Sequence, residues 1–293
     1  MAETASNNHH PLTSPGTSEQ MPTRRRTPWP LAVVAVLFVV VPFMYWYGTW
    51  FGRQLNDEEI GEYLGEEKNP RHAQHALAQL AERMERGDEE VKRWYPQIIA
   101  LAGNSQTDVR MTAAWVMGQD NRAAGFLVPL RQLTSDPEPI VRRNAALALV
   151  RFNDAGGRAE LLAMLRPYAV KSPVGGTLAS ALPEGSRVKR EAMLARVTDV
   201  SGHTLEVRSP LPGPVEKVLA AGGAQISEGG ELVVLGPDGG SVWESLRALY
   251  VVGLKEDLPE VERYAQGVAG MSEEIKKQAA LTADAIRRRT ATQ

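Results

Sequence analysis

The sequence contains no cysteine among its 293 residues. Disulfide bonds, thiolate nucleophiles and cysteine-ligated zinc or iron–sulfur sites are therefore excluded. The sequence also lacks a charge excess, since 33 basic side chains nearly balance 35 acidic ones and the formal net charge is −2. A protein that binds nucleic-acid phosphates normally carries a clear basic excess. We therefore expect no nucleic-acid partner.

A recognisable catalytic constellation is also lacking. Beyond the first 27 residues the histidines are His72, His75 and His203, and none of them lies near a glycine-flanked serine. The glycine-rich stretch 236–240 has no lysine and no hydroxyl residue of the kind that a phosphate-binding loop requires. We therefore predict that the protein is not an enzyme and has no cofactor, metal or small-molecule substrate. A hydrolase that uses one of these histidines stays open as a third hypothesis.

One long apolar run is present, at residues 31–47, and three arginines at residues 24–26 precede it. About 20 apolar residues are enough to cross the hydrocarbon core of a bilayer, and basic flanks stay in the cytoplasm. The sequence thus predicts a transmembrane anchor at residues 28–51 after a disordered cytoplasmic tail at residues 1–27. The chain would be a single-pass protein of a bacterial inner membrane, with its bulk periplasmic or otherwise extracytoplasmic.

Two segments further along the chain repeat one order of residue types. Residues 107–118 and 136–149 each contain an aspartate, a Val-Arg pair and, three positions after the arginine, an Ala-Ala pair. In the second segment the apolar positions recur at helical spacing, which predicts that Arg142 and Arg143 point away from the packed face. Self-similarity at a period of roughly 30 to 45 residues indicates stacked helical hairpins, although an ordinary helix bundle is an alternative.

These Val-Arg-x-x-Ala-Ala segments resemble HEAT repeats. The resemblance implies an α-solenoid that binds other macromolecules on its surface, and it implies no chemistry. We expect such repeats over residues 52–167, with further helical repeats over residues 239–290. Polar or aromatic side chains on the repeat helices are the candidate partner-binding positions: Trp115, Arg142, Arg143 and Asn144.

Short alternating apolar runs separated by glycine and proline occupy residues 168–238 and predict strands joined by turns. This segment contains an internal duplication, because residues 172–178 match residues 209–215, each beginning with Ser-Pro and carrying a glycine four positions after the serine. Two equivalent halves imply a β unit with pseudo-twofold symmetry.

Both halves resemble the Ser-Pro-x-x-Gly-x-Val pattern of biotinyl/lipoyl-like domains, also called barrel-sandwich hybrids. In carrier members of that family a lysine in the hairpin between the halves is modified, but here the corresponding turn, residues 198–204, has no lysine. The resemblance therefore implies the non-carrier use of the fold, as in periplasmic adaptors of export systems. Those adaptors commonly divide the halves with a long helical hairpin that this chain lacks. His203, in the turn, is a further candidate contact.

The fold class expected from these patterns is a multidomain α+β protein in which a HEAT-like solenoid is interrupted by a small all-β lipoyl-like insert. We expect a membrane-anchored scaffold or adaptor subunit of a bacterial envelope complex, with integral-membrane proteins as partners and the bilayer contacted through one helix. The alternative is an accessory, non-catalytic subunit of a respiratory or electron-transfer complex of the membrane.

Overall fold

The computed structural model describes residues 29–50, 53–66 and 68–291, and the side chains at 30–32 and 45–50 are outside that description. The predicted cytoplasmic tail at residues 1–27 therefore lies outside the described residues. The chain divides into two compact units, Met1–Gln54 and Leu55–Gln293.

Helix α1 (Trp29–Trp50) is the helix of the first unit. Its described side chains are exposed, among them Phe38 and Val39. Within the described part of the chain, no helix combines the length and the apolarity that crossing a membrane requires. The anchor at residues 28–51 is therefore not supported by the described residues and stays a prediction.

Helical hairpins make up most of the second unit, where ten described α-helices pair into five hairpins. The first helix of each later hairpin is short and follows a 3-10 turn, at Glu89–Trp94, Ala124–Phe126, Ala155–Gly157 and Lys255–Asp257. The second helices stack on one another in chain order. The helices are α2 (Asp57–Gly65), α3 (Pro70–Glu85), α4 (Tyr95–Leu101), α5 (Thr107–Met117), α6 (Leu127–Leu133), α7 (Pro139–Arg151), α8 (Arg158–Ala163), α9 (Gly239–Val252), α10 (Leu258–Gln266) and α11 (Glu273–Ala291).

Local sequence signals explain where these helices begin. Asn56 and Glu59 form a reciprocal capping box at the start of α2, and proline occupies the first turn of α3, α4, α7 and α10. Helices of seven or eight residues are not stable in isolation, so the short ones depend on packing. The paired alanines allow close packing between neighbouring helices. A Cβ on Gly157 would lie 2.5 Å from the Cα of Ala146, so only small residues fit between α7 and the turn before α8.

An arginine clamp holds the α4–α5 turn. Arg110 Nη1 donates to the carbonyl oxygens of Asn104 and Ser105, at 2.9 and 3.1 Å. The same guanidinium forms a bidentate pair with Asp136 in the next hairpin, at 2.7 and 3.0 Å. Both partners are largely buried, and bidentate pairs of this kind are among the strongest hydrogen bonds in proteins.

Arg142 repeats this arrangement one hairpin later. Its Nη1 donates to the carbonyl oxygens of Asp136 and Pro137, again six and five positions earlier, at 2.9 and 3.0 Å. Its Nε donates to Glu160 in α8 at 2.8 Å. The prediction that Arg142 and Arg143 point away from the packed face is therefore wrong, because both side chains face the next hairpin, with exposed fractions of 23% and 8%.

Two four-stranded antiparallel sheets form the β part, with strand orders β1-β8-β6-β3 and β5-β4-β2-β7. Their facing sides enclose a core of valine and leucine side chains. The strands are β1 (Tyr168–Lys171), β2 (Gly176–Ala181), β3 (Arg187–Val188), β4 (Met193–Asp199), β5 (Thr204–Arg208), β6 (Gly213–Val218), β7 (Gln225–Ile226) and β8 (Glu231–Leu235). Together with the helices, they give the predicted α+β class.

The two halves of the β part are equivalent in their hydrogen bonds. Exchanging β1–β4 for β5–β8 converts one strand order into the other. Ser172 Oγ donates to the carbonyl oxygen of Val174 at 2.6 Å, and Ser209 Oγ donates to that of Leu211 at 2.5 Å. Both serines are buried, so this bond satisfies a hydroxyl that would otherwise be costly to desolvate.

The β part is inserted between α8 and α9, which are the two helices of the fourth hairpin. Despite the 75 residues between them, α8 and α9 pack together, and they share one hydrophobic core with α10 and α11. Side chains of the later helices satisfy carbonyl oxygens at the end of α8: Ser245 Oγ donates to Leu161 at 2.6 Å and the Tyr264 hydroxyl to Leu165 at 2.7 Å. The β part itself contacts the repeats through Arg190, which pairs with Asp108.

We predict that Arg110→Met destabilises the protein by about 3–5 kcal/mol, because it leaves the carboxylate of Asp136 buried without its partner. Chemical denaturation at pH 7 measures this. Arg287→Met is the matched control, since Arg287 pairs at an exposed site and should change the unfolding midpoint little.

The same variant has a predicted pH signature. Burial raises the pKa of Asp136, but the hydrogen bonds from Arg110 and from the backbone N–H of Glu138, with the charges of Arg110 and Arg142, together outweigh it and hold the pKa below the usual 3.8. The clamp therefore stabilises the folded state above that pH, and its contribution is lost as the pH falls through the lowered value. The difference between wild type and Arg110→Met should shrink in that range. A difference that stayed constant down to pH 2 would contradict the clamp.

Candidate functional site

A groove of about 400 Å³ runs across three of the stacked second helices, α5, α7 and α9. It is the candidate site because it brings exposed apolar, amide and charged side chains together. The polar and large side chains that line it are Trp115 and Gln119 from α5 and its C-terminal turn, Ile140, Arg143, Asn144, Leu147 and Arg151 from α7, Met164 after α8, and Ser241, Glu244 and Arg247 from α9.

Trp115 provides the apolar wall of the groove. The other side chains of α5 are mostly buried, whereas Trp115 is 45% exposed. Leu147 occupies the equivalent position 32 residues later and lies beside it in the groove. An exposed indole next to aliphatic side chains is typical of binding surfaces, since aromatic residues give large contact areas at low entropic cost.

Arg143 is the buried cation of the groove. Only 6% of the residue is exposed, and its Nε has no hydrogen-bond partner among the described residues. The nearest carboxylate oxygen, Oε1 of Glu160, lies 3.6 Å away, and the other oxygen of Glu160 already accepts from Arg142. Burial lowers the pKa of Arg143. One carboxylate thus serves two guanidinium groups, and the second is incompletely compensated.

Two further arginines lie at the rim. Arg151 Nη1 donates to the neutral amide oxygen of Gln119 at 3.0 Å, which leaves its charge unopposed by a carboxylate at that contact. Arg247 lies on α9, one turn after Glu244, which is the one carboxylate among the described residues lining the groove. Three guanidinium groups line the groove, and two carboxylates, of Glu244 in the groove and of Glu160 behind Arg143, leave it an excess of positive charge in a chain whose net charge is −2.

The arrangement is suited to binding. Guanidinium groups donate charge-assisted hydrogen bonds to anionic oxygens, while the indole and the amides accommodate apolar and peptide groups. Among the described residues, no cluster of three or more histidines, aspartates or glutamates has metal-binding geometry. His72 instead stacks on Tyr63 and pairs with Glu66 at 2.5 Å.

The structure brings three of the five candidate residues together, since Trp115, Arg143 and Asn144 all line the groove. Arg142 lies outside it and serves in the structural clamp. His203 lies in the turn between β4 and β5, where its side chain is 87% exposed. That these positions bind a partner stays a prediction.

Sequence reasoning missed the contribution of α9. Ser241, Glu244 and Arg247 lie about 100 residues after the α7 side chains they join, on the far side of the β insert. A signal was present, because Val242, Leu246 and Leu249 of α9 repeat the spacing of Val141, Ala145 and Ala148 in α7. When the two helices are aligned on these buried positions, Glu244 occupies the position in α9 that is equivalent to Arg143 in α7.

Comparison with known proteins supports the repeats. The model of a family described as "HEAT repeats" matches residues 95–182, which is less than half of the chain. The match begins at α4 and ends just after β2, and the prediction of HEAT-like repeats is confirmed for its helical part. No curated protein sequence matches the chain.

Among solved structures, one similar chain is described as a single-chain, multi-domain long-chain acyl-CoA carboxylase. The similarity covers 34% of this chain and 11% of that chain, with 20% sequence identity and a TM-score of 0.24. A likeness this low carries no argument about fold or function.

We predict opposite outcomes for two adjacent arginines. Arg142→Met removes three hydrogen bonds made by a charged group and should cost about 3 kcal/mol. Arg143→Met removes a buried, incompletely compensated cation and leaves Glu160 paired with Arg142, so its stability should stay within about 1 kcal/mol of wild type or rise. Urea denaturation of the two variants measures this. Equal losses would contradict the distinction between a structural and a groove arginine.

Proposed function

We propose that this chain is a membrane-anchored, extracytoplasmic scaffold or adaptor subunit that joins proteins in a bacterial envelope complex of the export type. The observation that carries the proposal is the groove on the HEAT-like stack, where a half-exposed indole lies beside three arginines. Such a surface favours a protein partner, because aromatic residues and arginine are enriched at protein–protein interfaces relative to the rest of the surface.

The β part would be the second docking surface. We infer that it is a non-carrier member of the biotinyl/lipoyl-like domains, and the interchangeable strand orders of its two sheets support that assignment. Its central turn, between β4 and β5, presents Val200 and His203 to solvent in place of a modifiable lysine. Both ends of the insert enter one helical hairpin, and Arg190 pairs with Asp108. The insert is therefore held against the repeats.

The membrane anchor in this proposal is inferred from the amino-acid sequence. The apolar run at residues 31–47 and the arginines at residues 24–26 favour an anchor with a cytoplasmic N-terminus, and the described side chains at 33–44 of α1 are exposed. An anchor would raise the local concentration of the repeats near a membrane partner, so each docking surface could bind weakly on its own. Integral-membrane proteins are accordingly the expected partners.

The test is co-purification of the full chain from native membranes after mild detergent extraction, with mass spectrometry of the accompanying chains. We expect integral-membrane proteins in fixed ratio to the bait. Subunits of an export system would support the adaptor function, whereas cytochromes or quinone-linked enzymes would favour the accessory subunit of an electron-transfer complex. Recovery of the bait alone would contradict both.

A matched pair of variants links that result to the groove. Trp115→Ala should reduce partner recovery at least tenfold, because it removes the largest exposed apolar surface of the groove. Leu281→Ala is the control, since Leu281 is 56% exposed on α11 and does not line the groove. Equal recovery with both variants would remove the groove from the proposal.

A further inference from the structure

We propose that the groove across α5, α7 and α9 binds an acidic, extended segment of a partner protein through that segment's side-chain carboxylates. This inference rests on the proposed scaffold function and specifies the chemistry of the partner. Arg143, Arg151 and Arg247 would be the recognition cations, and Trp115 would pack against the apolar side chains between the carboxylates.

The first support is an unfilled hydrogen-bonding requirement. Arg143 is more than nine-tenths buried, lines the groove, and has an Nε without a partner among the described residues. A buried donor without a partner is costly, and native proteins rarely keep one without a reason. Its nearest carboxylate, on Glu160, lies 3.6 Å from that Nε and is shared with Arg142, to which it is hydrogen-bonded. A carboxylate brought by a ligand to the guanidinium of Arg143 would add charge compensation that the shared carboxylate of Glu160 supplies only in part.

Charge complementarity indicates that the ligand is negatively charged. The groove is lined by three guanidinium groups and one carboxylate, although the chain as a whole is slightly acidic. Arg151 uses one of its five N–H donors on Gln119, and the remaining donors stay available for a carboxylate. Arg247 lies on α9, next to α7, so the cations come from two neighbouring helices of the groove.

The neutral groups indicate a polypeptide rather than a polynucleotide. Asn144 donates through Nδ2 to the carbonyl oxygen of Ile140 at 2.9 Å, and its Oδ1 is left as an acceptor for a peptide N–H. Ile140, Leu147 and Trp115 add an apolar floor. Nucleic acids present closely spaced phosphates and need a continuous basic track, which Glu244 would interrupt. An acidic segment with apolar residues matches both features.

The experiment is a selection of twelve-residue peptides from a random display library on the immobilised full chain, with the double variant Arg151→Glu/Arg247→Glu for counter-selection. Both arginines are exposed, so the variant should fold. The matched control is Arg71→Glu/Arg86→Glu, which makes the same two reversals at exposed positions of α3 and the turn after it.

We expect the selected peptides to be rich in aspartate and glutamate. A synthetic copy should bind wild type and the α3 control within a factor of two of each other. It should bind the groove variant at least tenfold more weakly, as should its analogue with every glutamate and aspartate changed to the amide. Selection of non-acidic peptides, no selection at all, or equal binding by the groove variant would overturn the proposal. Equal competition by a twelve-nucleotide oligothymidylate would overturn it as well.

The outcome is separable from that of the scaffold proposal. If native partners co-purify with the groove variant and no acidic peptide is selected, the groove proposal fails and the scaffold function stands. If acidic peptides bind as described but no partner co-purifies from membranes, the recognition chemistry stands and the scaffold function fails.

Discussion

The carbonyl oxygens at the end of α8 impose the constraint on which the rest of the structure depends. A helix end leaves several carbonyl oxygens without intrahelical partners. After α8, 75 residues that include the whole β part precede α9, the next helix in the chain. Ser245 and Tyr264, both buried, return to donate to Leu161 and Leu165. These bonds, and the core around them, let the stack of second helices continue from α7 to α9. Without that continuity the groove would have only one wall.

Neighbouring arginines illustrate how the same residue type serves stability and recognition. Arg142 satisfies two carbonyls and one carboxylate, in the same pattern as Arg110 one hairpin earlier. Arg143 is more deeply buried than Arg142, but it shares its carboxylate and its Nε has no hydrogen-bond partner among the described residues. A buried ion pair contributes little when its desolvation is incompletely offset. The proposed acidic ligand would add to the compensation of Arg143 that Glu160 provides in part.

Much of the fold could be predicted from local patterns. The α+β class, the HEAT-like repeats and the start of α2 follow from helical periodicity, the paired alanines and the Asn56 capping box. The orientation of Arg142 and Arg143 could not be predicted in this way. Helical spacing shows which residues share a face of α7, but it does not show that the next hairpin covers the face that carries the two arginines. The return of helical repeats after the β insert was predicted, but the groove was not, because its α9 wall was recognised only when the buried positions of α9 were aligned with those of α7.

The central claim is that the groove contacts a protein partner in the cell. Site-specific photo-crosslinking tests it most directly, with a photoreactive amino acid placed at position 115 and, for comparison, at the exposed position 71 of α3. The account predicts a discrete crosslinked product from position 115, containing an integral-membrane protein, and none from position 71. No product from position 115, or the same product from both positions, would contradict it.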